Sequence, residues 1–329
     1  SGAHQLLSNV LNSLANRDCH LTLIHMDKGE AMEGADDVRI ENRWGYIPYK
    51  LCLDRQAIRD ITDTYMRNDA IICFFVQGLM AASWARRRGY RGKVIFVHQF
   101  FTPLEQYATL GWSYLGMLYP LFGKMMIKRY VSSADSVVVC SQFLQQQTQL
   151  EYGITPIVIP WGVNTELYNP NVPQGKVLSQ FGLGKDDFVI LYVGRLNPIK
   201  RIDVLIDMVG LLKGRMPIRL LVVGEDQGIK SELMRKASDL GVSREVIFVG
   251  PIPFTELPEY YVDSSLFATA SSYEGFCLPI LEAYACGRTV VASNCTAFPE
   301  TVGDAGILCR PRDPRSFAEA TYSLWKDPD

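Results

Sequence analysis

The chain has 329 residues, 48% of them apolar, which predicts two domains with real cores and excludes a disordered polypeptide. Its 33 basic and 35 acidic residues leave a net charge of −2, which argues against the basic face of a general nucleic-acid binder. No signal-peptide pattern is visible at the start, and no apolar run of about 18 residues free of charges or breakers occurs, so no membrane span is expected.

In the first half, "AHQLLSNVLNSLAN" reads as a helix, with Leu6, Leu7, Val10, Leu11 and Leu14 on one face. Strands are predicted at "HLTLIHM", "AIICFFV", "KVIFVH", "SVVVC" and "PIVIP". Between "KVIFVH" and "SVVVC" lies "WSYLGMLYPLFGKMMIKRY", Trp112 to Tyr130, broken by Gly116, Pro120 and Gly123 and ending on Lys124, Lys128 and Arg129. Two readings stand for it: a pair of core helices, or a surface for lipid or an apolar acceptor. Pro, Asn and Gly cluster in "WGVNTELYNPNVPQGK", which places the domain boundary so that residues 1–170 form the first domain and 171–329 the second. The second half holds "FVILYVG", "IRLLVVG", "EVIFVG", "LFATA", "TVVAS" and "GILCR". These near-continuous apolar runs predict parallel strands buried on both faces, and strand–helix alternation through both halves predicts two doubly wound α/β domains.

The eight cysteines form no CxxC pair and no zinc-type cluster, so reduced, buried thiols in a cytoplasmic protein are expected. The chain opens on "SGAHQLL", a glycine turn with no strand before it, and stops at "LWKDPD" directly after the last helix. A fragment lacking the first strand of its first domain and its C-terminal end is therefore expected, since a sheet missing a central strand leaves backbone groups unpaired.

Two stretches carry chemistry. In "YVGRLNPIKR", Gly194 permits close backbone approach, and Arg195 and Lys200 flank a strand-to-helix turn. Two cations beside a helix N-terminus suit a diphosphate, although surface cations capping a turn would look the same. The stretch is not a GxGxxG, so a nicotinamide site finds no fingerprint. In "SSYEGFCLPILEAYACG", Glu274 falls in a strand-to-helix loop, with Pro279 in the helix's first turn and Gly287 as its stop. That carboxylate and the amides of Phe276, Cys277 and Leu278 suit sugar hydroxyls, which both donate and accept. Glu282, one turn deeper, suits the two hydroxyls of a ribose.

These pieces, with "ADSVVVCSQFLQQQTQLEYGITPIVIPWGVNTELYNP" and "FPETVGDAGILCRPRDP", resemble the retaining glycosyltransferases of family four, whose fold is GT-B, two Rossmann-like domains facing a cleft. The likeness is closest from about residue 134 onward. It implies that Arg195 and Lys200 hold the leaving diphosphate. Glu274, with Gly275, Phe276, Cys277 and Leu278, would hold the donor sugar, and Glu282 the ribose. His98 would reach the donor from the first domain, and Gly2 would belong to a glycine loop near the phosphates. The sequence departs from the family at Arg201 and Cys277, where glycine is usual, at Trp161, where the linker often has Asn, and in "GEDQG", which lacks a middle glycine.

The resemblance implies transfer of a mannose- or glucose-type hexose from a nucleoside-diphosphate sugar to a glycan, lipid-linked or small-molecule acceptor. No cofactor is expected. No metal is expected either, because the one D-x-D is Asp327-Pro328-Asp329 at the chain end. The location expected is cytoplasmic, or the cytoplasmic face of a membrane reached through residues 112–130. A sugar-nucleotide epimerase or phosphorylase and a catalytically silent GT-B subunit are the alternatives.

Overall fold

A computed structural model describes residues 22–26, 36–40, 55–98 and 123–327. The chain divides into two compact units, Ser1–Pro160 and Trp161–Asp329.

In the first unit, β1 (Thr22–Met26) and β2 (Asp36–Ile40) pair in parallel. A second parallel sheet runs in the order β3 (Ala70–Cys73), β4 (Lys93–Val97), β5 (Ser136–Val139) and β6 (Ile157–Val158). The helices Arg55–Tyr65 and Val76–Arg87 press Ile58, Ile61, Leu79 and Met80 against Val94 and Phe96. Ala81, Ala82 and Ala85 are fully buried, so small side chains let the second helix lie close to its neighbours. The helix expected at 3–16 and Gly2 lie outside the described residues, as do residues 112–122. The described remainder of the aromatic segment, 123–130, is helical. Met126 is buried there, Lys124 pairs with Glu151 at 3.1 Å, and Lys128 and Arg129 are exposed.

The second unit is one parallel six-stranded sheet in the order β12-β11-β10-β7-β8-β9. Its strands are β7 (Phe188–Val193), β8 (Ile218–Val223), β9 (Val246–Gly250), β10 (Leu266–Thr269), β11 (Thr289–Ser293) and β12 (Gly306–Cys309). The two-residue period of a strand sends Ile190 and Tyr192 into one core and Val189 and Leu191 into another. The first core includes the helix Ile202–Leu212; the second includes Tyr261, Phe267, Ile280 and Phe298. Both faces are covered, which is why these strands read as unbroken apolar runs.

The division at Pro160/Trp161 falls ahead of the 170/171 boundary expected from composition. Tyr168 explains the difference: it is fully buried in the second unit and meets Tyr261 edge-on, 6.0 Å between ring centroids. Asp263 fastens the same segment. Its carboxylate accepts from the backbone N–H groups of Gly175 (2.6 Å), Val177 (2.8 Å) and Leu178 (3.3 Å). It thereby satisfies the first donors of the helix Lys176–Gln180.

Candidate active site

The site residues expected in the second half follow β7 and β10, at the carboxyl ends of strands where open α/β sheets take their ligands. β7 passes into a turn held on one side by the loop after β8. Leu196 N donates to Glu225 O (2.8 Å), Gln227 N donates to Leu196 O (3.0 Å), and Asn197 Nδ2 donates to Gln227 Oε1 (3.0 Å). The two loops touch so closely that a Cβ on Gly224 would lie 1.9 Å from Gly194 O. Tyr192, buried beneath, donates its hydroxyl to Arg195 O at 3.2 Å and so fixes the backbone that carries the arginine. Arg195 itself is exposed.

Lys200 ends a short turn of 3₁₀ helix, Pro198–Lys200, and its Nζ forms an ion pair with Glu274 Oε1. Both side chains are largely shielded, with 20% and 15% exposure. The loop bearing Glu274 is locked to the lysine's loop at one carbonyl. Ile199 O accepts from Ser272 N (2.8 Å), Ser272 Oγ (3.1 Å) and Ser271 Oγ (3.2 Å). On its other side, Glu274 N donates to Thr296 Oγ1 at 3.2 Å, and Thr301 Oγ1 donates to Phe276 O at 2.7 Å.

Past Glu274 and Gly275 the chain enters the helix Leu278–Ala285 through Cys277, whose φ of 77° is left-handed. Pro279 occupies the first turn, as its fixed φ favours. Pro279 brings no N–H and Ile280 N donates to Cys277 O at 3.1 Å, so at the helix's entry it is the amide of Leu278 that precedes any intrahelical acceptor. Burial pushes the Cys277 thiol well up, with Glu274 adding in the same direction, so it is no thiolate nucleophile. Phe276 and Leu278 are buried, and the Phe276 ring meets Trp161 edge-on at 5.8 Å. Glu282, one turn into the helix, is only 3% exposed, and its Oε2 accepts from the Tyr261 hydroxyl at 2.7 Å.

His98 belongs to the first unit and follows β4. It is 5% exposed, its Nδ1 lies 3.2 Å from Thr148 Oγ1, and its ring stacks on Phe96 and meets Tyr152 edge-on. Burial lowers its pKa to about 4, so the imidazole is neutral at physiological pH. The second unit therefore assembles Gly194, Arg195, Lys200, Glu274, Gly275, Phe276, Cys277, Leu278 and Glu282, while His98 is packed within the first unit. Sequence reading passed over Tyr192, Tyr261, Ser271, Ser272, Thr296 and Thr301. Tyr192 and the serines sat inside the two chemistry-bearing stretches, but hydroxyls that bond to backbone leave no spacing to read. Among the described residues no group of three or more His, Cys, Asp or Glu could hold a metal ion, and no helix is long and apolar enough to cross a membrane.

An α/β chain with parallel sheets in both units and this edge constellation has the features of the glycosyltransferase class. Residues 1–167 match the family Glycosyltransferase Family 4, and residues 187–327 match Glycosyl transferases group 1. The chain belongs to glycosyltransferase family 4. It is 33% identical over 208 residues to the D-inositol 3-phosphate glycosyltransferase of Acidothermus cellulolyticus, covering 59% of this chain and 46% of that protein. It is 30% identical over 256 residues to a GDP-mannose-dependent alpha-(1-6)-phosphatidylinositol monomannoside mannosyltransferase of Mycolicibacterium smegmatis, covering 74% and 63%. The chain thus spans about half the length of the curated relatives it matches. The GT-B fold is shared with solved structures. Sucrose-phosphate synthase from Thermosynechococcus elongatus matches with a TM-score of 0.83 at 21% identity, over 100% of this chain and 85% of that one. Anabaena HepE in complex with UDP and glucose matches with a TM-score of 0.79 at 20% identity, over 100% and 87%.

Proposed function

We propose that the protein transfers a mannose- or glucose-type hexose from a nucleoside-diphosphate sugar to a glycan, lipid-linked or small-molecule acceptor, with retention at the anomeric carbon. The observation that carries this reading is the juxtaposition of Lys200 with Glu274 beside Arg195, at the ligand-binding edge of a parallel sheet. A relative named for GDP-mannose and a neighbour holding UDP and glucose support the substrate class.

In this reading the diphosphate oxygens are held by Arg195 and Lys200. When phosphate shares the lysine's charge, Glu274 is released to accept hydrogen bonds from sugar hydroxyls. The anomeric C–O bond to the diphosphate then breaks as the acceptor hydroxyl's oxygen bonds to the same carbon on the same face, its proton passing to the departing diphosphate. The growing negative charge is met by cations already in position, which favours the transition state over the ground state. Glu274 acts in positioning, through those hydroxyls, and not as a nucleophile. Glu282, oriented by Tyr261, takes the ribose hydroxyls. His98, being neutral, contributes hydrogen bonding and no charge. Gly2 keeps the family's phosphate-side role.

Because two cations serve the diphosphate, turnover should survive EDTA; loss restored only by a divalent ion would overturn that part. The enzyme works in the cytoplasm, and residues 112–130 give it peripheral contact with an anionic leaflet. Co-sedimentation with anionic vesicles at low salt tests the contact, and protein left in the supernatant removes it. The reading as a whole is tested by a transfer and hydrolysis screen of UDP-, GDP- and ADP-sugars. Turnover with one donor, abolished by Arg195→Ala, supports it, and no turnover with any donor overturns it.

A further inference from the structure

Among the described residues, four non-glycine residues have left-handed φ: Arg201 (48°), Cys277 (77°), Thr296 (52°) and Arg312 (60°). They follow β7, β10, β11 and β12 respectively, so every one lies at the carboxyl edge of the second unit's sheet. Thr296 is the outlier of the set. A β-branched side chain is the least suited to this backbone region, and such conformations persist where the surroundings hold them for a purpose.

The surroundings of Thr296 give the purpose. Its Oγ1 accepts the backbone N–H of Glu274 at 3.2 Å. The preceding residue reaches the same loop, with Cys295 Sγ 3.5 Å from Ser271 O and 3.7 Å from Ser272 O. Thr301 holds it again at Phe276 O, 2.7 Å away. The loop carrying the sugar-side carboxylate is therefore braced by residues after β11 on one side and by the Ile199 carbonyl on the other. A glycine would meet the φ at position 296 without strain but would offer no hydroxyl.

We infer that Thr296 is a positioning residue for Glu274: its strained backbone is kept because only there does its hydroxyl fix the amide of the residue that grips the donor sugar. This inference rests on the donor-sugar role proposed for Glu274, but the brace can be read without any turnover.

The test uses Thr296→Gly and Thr296→Ser in the full chain. Thr296→Gly removes hydroxyl and strain together. It should melt no lower than wild type, expose the Glu274 amide to faster hydrogen exchange, and lower kcat by roughly 10-fold to 100-fold through misplaced geometry. Free nucleoside-diphosphate affinity should be unchanged, because Arg195 and Lys200 stay in place. Thr296→Ser keeps the hydroxyl and should restore both exchange protection and kcat. Wild-type exchange at Glu274 in Thr296→Gly overturns the brace whether or not a donor has been found. Faster exchange with wild-type kcat overturns the positioning role. A lower melting temperature with nucleotide affinity lost in step makes Thr296 a general stabiliser and also overturns it. If wild type turns over no donor, the glycosyl-transfer reading fails while the exchange result still decides the brace.

Discussion

Lys200 and Glu274, 74 residues apart in sequence, meet as a shielded ion pair at the edge of the second unit's sheet. Each compensates the other's charge. Removing either one leaves an uncompensated charge, so their effects on catalysis should not add. Lys200→Ala and Glu274→Ala should each cost about 2–4 kcal/mol of transition-state stabilisation, by analogy with a lost oxyanion donor. The double variant should cost clearly less than the sum. A kcat/KM cycle over the four proteins checks this, and strict additivity would show that the pair does not act as a unit.

The Tyr261–Glu282 hydrogen bond gives a test of the division proposed between ribose and sugar. Tyr261→Phe deprives a buried carboxylate of a donor, at about 1–3 kcal/mol of stability. It should also weaken calorimetric binding of the free nucleoside diphosphate. Glu274→Ala should spare that binding. Equal losses in both variants would contradict the division of labour.

His98 should show itself in acid. Its pKa is lowered by burial, from 6.5 to about 4 in the folded protein. Between those values the unfolded chain binds the extra proton and the folded one does not, so stability falls as pH drops from 6.5 towards 4 and is unaffected by this group above 6.5. The penalty at the bottom of the window is on the order of 3 kcal/mol. Urea melts of wild type and His98→Gln from pH 7 to about pH 4 read it. The variant should lack this part of the slope, and parallel curves would mean that the imidazole is not buried neutral.

At Cys277 the backbone should outweigh the side chain. Its φ is 77°, so Cys277→Gly should be more stable than Cys277→Ala by about 1 kcal/mol, the reverse of the usual order. Thermal melts of the two variants decide, and an alanine variant that melts higher sinks the claim.

Much of this was legible before any coordinates. The strands of the second unit announced themselves because burial on both faces demands apolar residues throughout. β2 did not: in "DDVRI" only Val38 and Ile40 are apolar, too few for a pattern. Arg195, Lys200, Glu274 and Glu282 were legible because charges at a strand-to-helix turn need a reason. Their supports were not, since Tyr192, Tyr261 and Thr296 act through contacts between elements far apart in the chain. Arg201 and Cys277 stood out in sequence only as departures from glycine. The left-handed φ at both shows what that glycine would have been for. His98 was singled out by position alone, and its dense packing against Phe96, Thr148 and Tyr152 could not be read from one histidine after a strand.

The segment after Pro160 has a consequence for how such chains can be recombined. Trp161 touches Phe276, Tyr168 fills the second core, and the amides of Gly175, Val177 and Leu178 are tied to Asp263. A chimera that exchanges first halves between relatives should therefore cross over before Trp161, so that the connecting stretch travels with the second unit. A crossover at 170 would graft a foreign residue into the Tyr168 socket and a foreign ring onto the loop of Glu274. Such hybrids should lose solubility before any question of acceptor choice arises.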